Sequence, residues 1–324
     1  MILSFLFSLT FSSLQDSKIA DDEKSFVNWM RNTQQIFTGD SYLFRMNNFV
    51  HNVNLMNQHN AKSPYKVGPN KYSHFSPAEI QALFSFKDYQ PHPRTQSTFS
   101  DFQPPEELDW RENNTVTGIK NQGSCGSCWA FTSVAVIESL LARTTGKLVD
   151  LSPQSLVDCC TVCNGCLGCD PCNSLSWTIS QHNGSIPLEQ DYPYTGVQGS
   201  CQAEKFDKSY GNIKSWGFVD FCNETDLMVK CAEYGPVLVA MKANLWSFLY
   251  YDGGIFYEEG CSQFDYDHAM AVVGYGSENE KLFWIAKNSM GPQWGEAGYI
   301  RIARNSGNMC GIASRALYVS DEET

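Results

Sequence analysis

All thirteen cysteines of this 324-residue chain lie beyond residue 103. The N-terminal part must therefore fold by burial and hydrogen bonding alone, while the remainder has covalent bridges available to it. Two units under different constraints are the first expectation. The odd number matters as well: if cysteines pair, one thiol is left over, and a leftover thiol in an exported chain calls for a functional role.

Export is suggested by "MILSFLFSLTFSSLQ", in which an apolar stretch from Ile2 to Phe11 is too short to span a bilayer and is followed by Ser12 and Ser13. Residues 1–15 read as a cleaved signal peptide, although no Lys or Arg follows Met1. No later run is long and apolar enough for a membrane helix. The implied route is the secretory pathway, with residence in a lysosome or acidic vacuole or outside the cell, where cysteines pair.

Residues 16–103 form the first unit. "YLFRMNNFVHNVNLMNQHN" sets Leu43, Met46, Phe49, Val53 and Met56 at three- and four-residue steps, an amphipathic helix in need of a partner surface. "SPAEIQALF" predicts a second helix with Ser76 as N-cap, Pro77 at its first position and Glu79 closing a capping box. From Lys87 to Pro105 the text turns to Pro, Gln, Ser and Thr without periodicity, an extended linker.

From residue 104 to 324 the chain carries 14 basic and 27 acidic residues, a net charge of −13. Such a body is a poor partner for nucleic acid or an anionic membrane. "CWAFTSVAVIESLLARTTG" predicts a helix closed by Gly146, and "LSPQSLVDC" a second one capped by Ser152 with Pro153 at its first position. "PVLVAM", "HAMAVVGYG", "KLFWIAKN" and "GYIRIAR" are β-branched and aromatic runs bounded by Gly and Asn. Helices first and antiparallel strands later give an α+β arrangement of two lobes, with a site in the cleft between them.

The chemistry centres on "NQGSCGSCWAF" at residues 121–131. Its two cysteines could be a redox couple, half of a metal site, or a structural cysteine beside a nucleophile. A redox couple requires a preceding strand, and "ENNTVTGIKNQGS" is loop-like. The third reading has more to recommend it. Cys128 would open a helix, where free N–H groups and the helix dipole favour a thiolate. Gln122 is placed to join the Cys128 N–H in holding an oxyanion. A base is needed, and only His182 and His268 follow the linker. His182 lies in "QHNGS", a glycosylation sequon that reads as exposed loop, whereas His268 opens a predicted strand that can aim it. Asn288 ends the next strand and can accept from the far ring nitrogen.

These residues, with "DWRENNTVTGIKNQGSCGSCWAF", "LSPQSLVDC", "DYPYTGVQGSC", "DHAMAVVGYG" and "NSMGPQWGEAGYIRI", make the chain resemble the papain-like, cathepsin L-like cysteine proteases from Asp109 to Ile302. The first unit resembles the family's propeptide. Arg45, Phe49, Asn52, Met56 and Asn60 carry one of its patterns, with Ser41 in place of a leading Glu. Gly68, Asn70, Tyr72 and His74 carry the second, the last two departing from the usual Phe and Asp.

The resemblance implies a papain-like two-lobe fold with a helical N-terminal inhibitory prodomain. It implies a cysteine endopeptidase made as a zymogen, with Gln122 for the oxyanion, Cys128 as nucleophile, His268 as acid–base and Asn288 as orienter. A His-paired cysteine of this kind ionises near pH 3–4, at about that pKa. Met290 stands where the family usually has Trp, so reduced activity is expected; the alternative function is a catalytically weak binding protein.

It further implies Cys172, Ala240, Tyr266, Ala269 and Arg315 along the substrate cleft, with Arg315 at the floor of the pocket for the side chain two residues before the cut. There the guanidinium either favours acidic or polar side chains or is met by a protein carboxylate. Protein or peptide substrates, the chain's own prodomain as intramolecular inhibitor and cystatin-like inhibitors are the implied partners, in a monomer without cofactor or metal.

The family's pairing implies disulfides Cys125–Cys169, Cys159–Cys201 and Cys261–Cys310. Cys222–Cys231 and two bridges among Cys160, Cys163, Cys166 and Cys172 would then complete six, with Cys128 left over. Read alone, the CxxC ladder of "CCTVCNGCLGCDPC" resembles an iron–sulfur or zinc motif, but parity and compartment favour disulfides. Processing is expected by acid-triggered cleavage between Thr95 and Pro105, assisted by the prodomain histidines His51, His59, His74 and His92.

Overall fold

The computed structural model describes residues 2–84 and 102–323, with side chains from Lys18 onward apart from Ala82. His92 and most of the expected processing segment lie outside these residues. Among the described residues, no helix is long and apolar enough to cross a membrane.

The first unit is built on α1 (Ile2–Thr33) and α2 (Gly39–Asn60). They are joined by an aromatic cluster in which the Trp29 and Phe49 rings lie 5.2 Å apart and Phe26 lies 5.5 Å from each. Phe49 and Met56 are buried as their spacing predicts, but Leu43 is 57% exposed. Tyr42 takes the inward place instead, edge-on to Phe26 at 5.3 Å, because an aromatic ring reaches the cluster from the first turn better than Leu does. Helix α3 (Pro77–Leu83) has the full capping box, Ser76 Oγ accepting from Glu79 N and Glu79 accepting from Ser76 N.

Polar side chains fasten this unit. Asn52 Nδ2 donates to the carbonyls of Ser73 and Phe75, both at 3.0 Å, and Arg45 bonds Glu79 at 2.8 Å. Asn60 exchanges two hydrogen bonds with the Val67 backbone in β1 (Lys66–Val67).

After residue 102 the helices are α4 (Cys128–Thr145), α5 (Pro153–Cys159), α6 (Pro171–His182), α7 (Glu224–Tyr234) and the short α8 (Trp246–Leu249). Gly146 ends α4 with φ +72°, a left-handed cap that suits glycine. The strands are β2 (Leu108–Asp109), β3 (Ser185–Pro187), β4 (Ser209–Gly211), β5 (Ser215–Phe218), β6 (Val237–Met241), β7 (Tyr251–Gly253), β8 (Ile255–Phe256), β9 (His268–Glu278), β10 (Lys281–Lys287), β11 (Tyr299–Ala303) and β12 (Arg315–Ser320).

The main sheet runs β5-β12-β6-β9-β10-β11-β8, with β2 added against β9. All its pairings are antiparallel except β11 with β8. A separate antiparallel pair joins β1 of the first unit to β7 of the body.

Alternation along β9 gives the sheet two buried faces. Ala269, Ala271 and Val273 point to the core shared with α4, where the two alanines leave room for the helix. Met270 and Val272 point to the other core with Trp284 and Phe256, and the shift of register between Val272 and Gly274 brings Tyr275 to that side as well. Met56, Tyr65, Val67, Tyr72, Ile80 and Phe84 of the first unit complete that second core.

Four disulfides are present, and two match the implied pairs: Cys159–Cys201 and Cys261–Cys310. The expected Cys125–Cys169 bridge is corrected. Cys125 pairs with Cys166, where Gly126 N also donates to Cys166 O at 2.9 Å, and Cys169 pairs with Cys163. Asp170 and Pro171 start α6 immediately after Cys169, so Cys166 is the ladder cysteine that runs alongside the Cys125 loop.

The Cys222–Cys231 bridge is also corrected. Cys231 is buried on the last turns of α7 and Cys222 precedes its N-cap. The Cys222 sulfur lies 3.4 Å from Ser314 Oγ and the Cys231 sulfur 3.9 Å from Val272 O, so the two thiols face different partners. Six bridges thus become four, and Cys128, Cys160, Cys172, Cys222 and Cys231 are free thiols. Parity does not isolate the nucleophile. Among the described residues, no cluster of His, Cys, Asp or Glu has the arrangement of a metal site.

Candidate active site

Cys128 is the first residue of α4, and its N-cap Ser127 makes no side-chain capping bond. The helix's first N–H groups therefore point into the interlobe space with their positive end toward the thiol. His268 begins β9, and Asn288 directly follows β10, its antiparallel neighbour. This places His268 Nε2 2.8 Å from Asn288 Oδ1, both side chains buried. The Asn288 oxygen also accepts from Ser289 N at 2.8 Å, which fixes the amide's orientation.

Gln122 is tied to the same strand end. Its N–H donates to Ser289 O at 2.8 Å, and Ser289 Oγ donates to Gln122 Oε1 at 2.6 Å. Its Nε2 donates to Cys125 O at 3.0 Å, which leaves the amide's second hydrogen directed elsewhere. Ser289 was not anticipated from the sequence. The clue was its place between Asn288 and Met290, where a small hydroxyl can bond the opposite lobe.

Met290 is buried in the core and bridges Asn121 across the sheet edge. The aromatic cover of the histidine comes from Phe248, 5.8 Å from the His268 ring and 5.1 Å from Trp294, which itself donates to Leu249 O at 3.0 Å. A second aromatic comes from the first unit: Phe84, just past α3, stands edge-on to His268 at 5.6 Å. A buried aromatic at the end of a capped helix was the available hint of that contact.

Burial sets the protonation here. It pushes the Cys128 thiol up to about 11 and pulls the His268 imidazole down to about 4. Hydrogen bonds from backbone N–H groups work against the first shift and Asn288 against the second, but neither prevails. Both shifts favour the neutral forms, a thiol and an imidazole, in the closed zymogen.

The residues expected along the cleft are only partly brought together. Arg315, Ala240 and Ala269 form one cross-strand row on β12, β6 and β9, all buried and beside His268. Arg315 forms a buried ion pair with Asp170, and both side chains are 3% exposed. Tyr266 is half-buried and interacts with Ser314, next to Arg315.

Cys172 is the second residue of α6, and its N–H donates to Asp170 Oδ1 at 3.2 Å. That N–H is used in capping the helix, while the Cys172 sulfur lies 3.6 Å from Arg315 Nη2. With Cys166 as the partner of Cys125, the residues that directly follow the bridged cysteine are Leu167, Gly168 and Cys169. Asp170 was missed, although Asp followed by Pro171 is the same N-cap signature that identified Ser152. His182 is not a free loop residue either. It ends α6 with its ring stacked on Phe206 at 3.8 Å.

Residues 104–320 match the model of the papain family cysteine proteases, and residues 26–80 match that of the cathepsin propeptide inhibitor domain. Cathepsin L of Sarcophaga peregrina is 38% identical over 295 residues, covering 85% of this chain and 86% of that protein. Procathepsin L of Rattus norvegicus is 37% identical over 272 residues, covering 80% and 79%.

Among solved structures, digestive procathepsin L 3 of the Tenebrio molitor larval midgut superposes with a TM-score of 0.83 at 32% identity, covering 92% of this chain and 99% of that one. The proform of Amb a 11, a ragweed pollen cysteine protease, superposes with a TM-score of 0.85 at 28% identity, covering 94% and 95%.

Proposed function

The chain belongs to the papain family of cysteine proteases and is a cysteine endopeptidase made as a zymogen; from that premise we propose that Cys128, His268, Asn288 and Gln122 carry the reaction. The observation that carries this is the 2.8 Å contact of His268 Nε2 with Asn288 Oδ1 beside the helix that Cys128 opens. Once water and substrate replace the prodomain, the burial that keeps the pair neutral is relieved and the proton moves from Cys128 to His268.

The thiolate then attacks the scissile carbonyl, and His268 returns the proton to the leaving amine. Water, activated by the same imidazole, releases the acyl-enzyme. The Cys128 N–H and the Gln122 amide hold the oxyanion. Asn288 keeps the ring aimed, and its own bond from Ser289 N supports that role.

The proposed boundaries are 1–15 for a signal peptide, 16–103 for prodomain and linker, and 104–324 for the peptidase. Secretory delivery to an acidic vacuole or to the outside suits an enzyme whose release follows acidification. Cystatin-like proteins would compete for the same cleft. At the pocket floor, the Asp170 carboxylate already meets the Arg315 charge, which favours apolar over acidic side chains two residues before the cut.

The test combines a thiol-directed peptide probe with a fluorogenic substrate library. Acid-matured enzyme is expected to take up one probe per chain at Cys128 and to cut within the library peptides. Labelling that persists after Cys128→Ala would refute the assignment.

A further inference from the structure

The body surface on which the prodomain strand lies is built to recognise more than that strand. Lys66 pairs with Gly253 and Val67 with Tyr251, Gly68 N donates to Tyr250 O at 2.8 Å, and Asn70 Nδ2 donates to Leu249 O at 2.7 Å. The Tyr65 ring enters a slot 5.0 Å from Phe256, with its hydroxyl 3.1 Å from Glu258 Oε2. A Cβ on Gly68 would lie 2.8 Å from the Asp252 carboxylate, so a larger residue there has to push that side chain aside and glycine fits best. The template is an extended Tyr-x-x-Gly-x-Asn segment, held by backbone acceptors and one phenol pocket.

The strand partner β7, the carbonyls of Leu249 and Tyr250, Phe256 and Glu258 belong to the body, whereas the segment they hold, fixed on its other side by Asn60 and Trp29, belongs to the part that maturation removes. Removal leaves an open strand edge, unfilled carbonyls and an aromatic slot in continuity with the active site. Phe248 of α8, immediately before Leu249, lies 5.8 Å from His268. A chain seated in this groove therefore runs alongside the cleavage site.

Resting on the proteolytic reading above, we propose that in the matured enzyme this groove is an exosite that recruits extended, tyrosine-bearing segments of protein substrates. Unpaired strand edges attract such segments, and the pocket selects a phenol over a phenyl ring through Glu258. The acidic body adds attraction for flanking lysines, like Lys66 and Lys71 in the native occupant.

The test uses enzyme matured from the full-length zymogen with Cys128 alkylated, and a fluorescent peptide of residues 62–72, KSPYKVGPNKY. Saturable binding is expected, weakened about 10-fold by Tyr65→Ala or Gly68→Ala in the peptide. In the enzyme, Glu258→Gln is expected to weaken it about 5-fold. With unblocked enzyme, joining YKVGPN to a short fluorogenic substrate lowers KM without changing kcat. That advantage disappears in Glu258→Gln, while turnover of the short substrate is unchanged.

Absence of saturable binding, loss of binding on alkylation, or a KM advantage that survives Glu258→Gln overturns the exosite. Alkylation of Cys128 is read separately. Enzyme that labels but does not bind leaves the proteolytic reading intact, and enzyme that does not label contradicts that reading itself.

Discussion

The prodomain and the peptidase body each bury an aromatic core, yet they are fastened by different means. Residues 18–84 hold together through Phe26, Trp29 and Phe49 and through amide side chains bonded to backbone, with no cysteine. The body adds four disulfides to its cores. The unit that must leave is held by noncovalent contacts that protons and water can undo, and the unit that must persist after it leaves is held by bonds they cannot. Unequal chemistry of attachment lets one chain be both inhibitor and enzyme.

The sharpest test of that division is Cys128→Ser. Turnover should fall by at least ~10⁴-fold, and the zymogen should persist uncut at acid pH with the prodomain still able to dissociate. Prompt processing of this variant on its own would mean that another group does the cutting. Replacing Cys159 and Cys201 by Ser opens a loop with a sequence separation of 42 residues and should destabilise the body by about 4 kcal/mol. Thermal unfolding of the body should move while the pH of prodomain release does not; movement of both would break the comparison.

Phe49→Ala does the reverse. It should cost the prodomain about 3–4 kcal/mol, read as release at higher pH with the melting of the matured body unaltered.

His74 gives the smallest effect and the most specific. Its ring packs 5.2 Å from Trp29 and 5.0 Å from Phe37, and burial, with Arg45 adding to it and Glu79 opposing, pulls its pKa down to about 4. The docked form holds a neutral imidazole that the unfolded form protonates near 6.5. Docking is therefore undiminished above pH 6.5 and weakens as pH falls from 6.5 to 4, by about 2 kcal/mol after allowance for screening. His74→Gln should shift the release midpoint to lower pH in a tryptophan-fluorescence titration. An unchanged midpoint would show that carboxylate protonation alone drives release. His59, with its pKa also lowered by burial, contributes in the same direction.

Much of this was legible in the sequence because it rests on local rules. Ser76, Ser152 and Gly146 cap helices where short-range chemistry predicts, and the β-branched and aromatic runs at residues 237–241 and 268–278 became central strands. The histidine and asparagine partners were legible because they terminate neighbouring strands. The bridges around Cys160–Cys172 were not. With cysteines at every third position, several pairings satisfy the same sequence, and only the start of α6 at Pro171 decides which one faces Cys125. Nor was the Asp170–Arg315 pair, whose members are 145 residues apart and meet only after both lobes form.

The bonds between Gln122 and Ser289 have a pharmacological consequence. They lace one lobe to the other at the seam beside Asn288, together with the Asn121–Met290 bridge and the Gly291 N to Lys120 O bond, so the two halves of the proposed reaction centre are fastened at one place. A small molecule need not plug the groove where substrates lie. A wedge that pries this seam apart would move the Gln122 amide, the proposed oxyanion donor, and loosen Asn288 behind the His268 ring in one stroke.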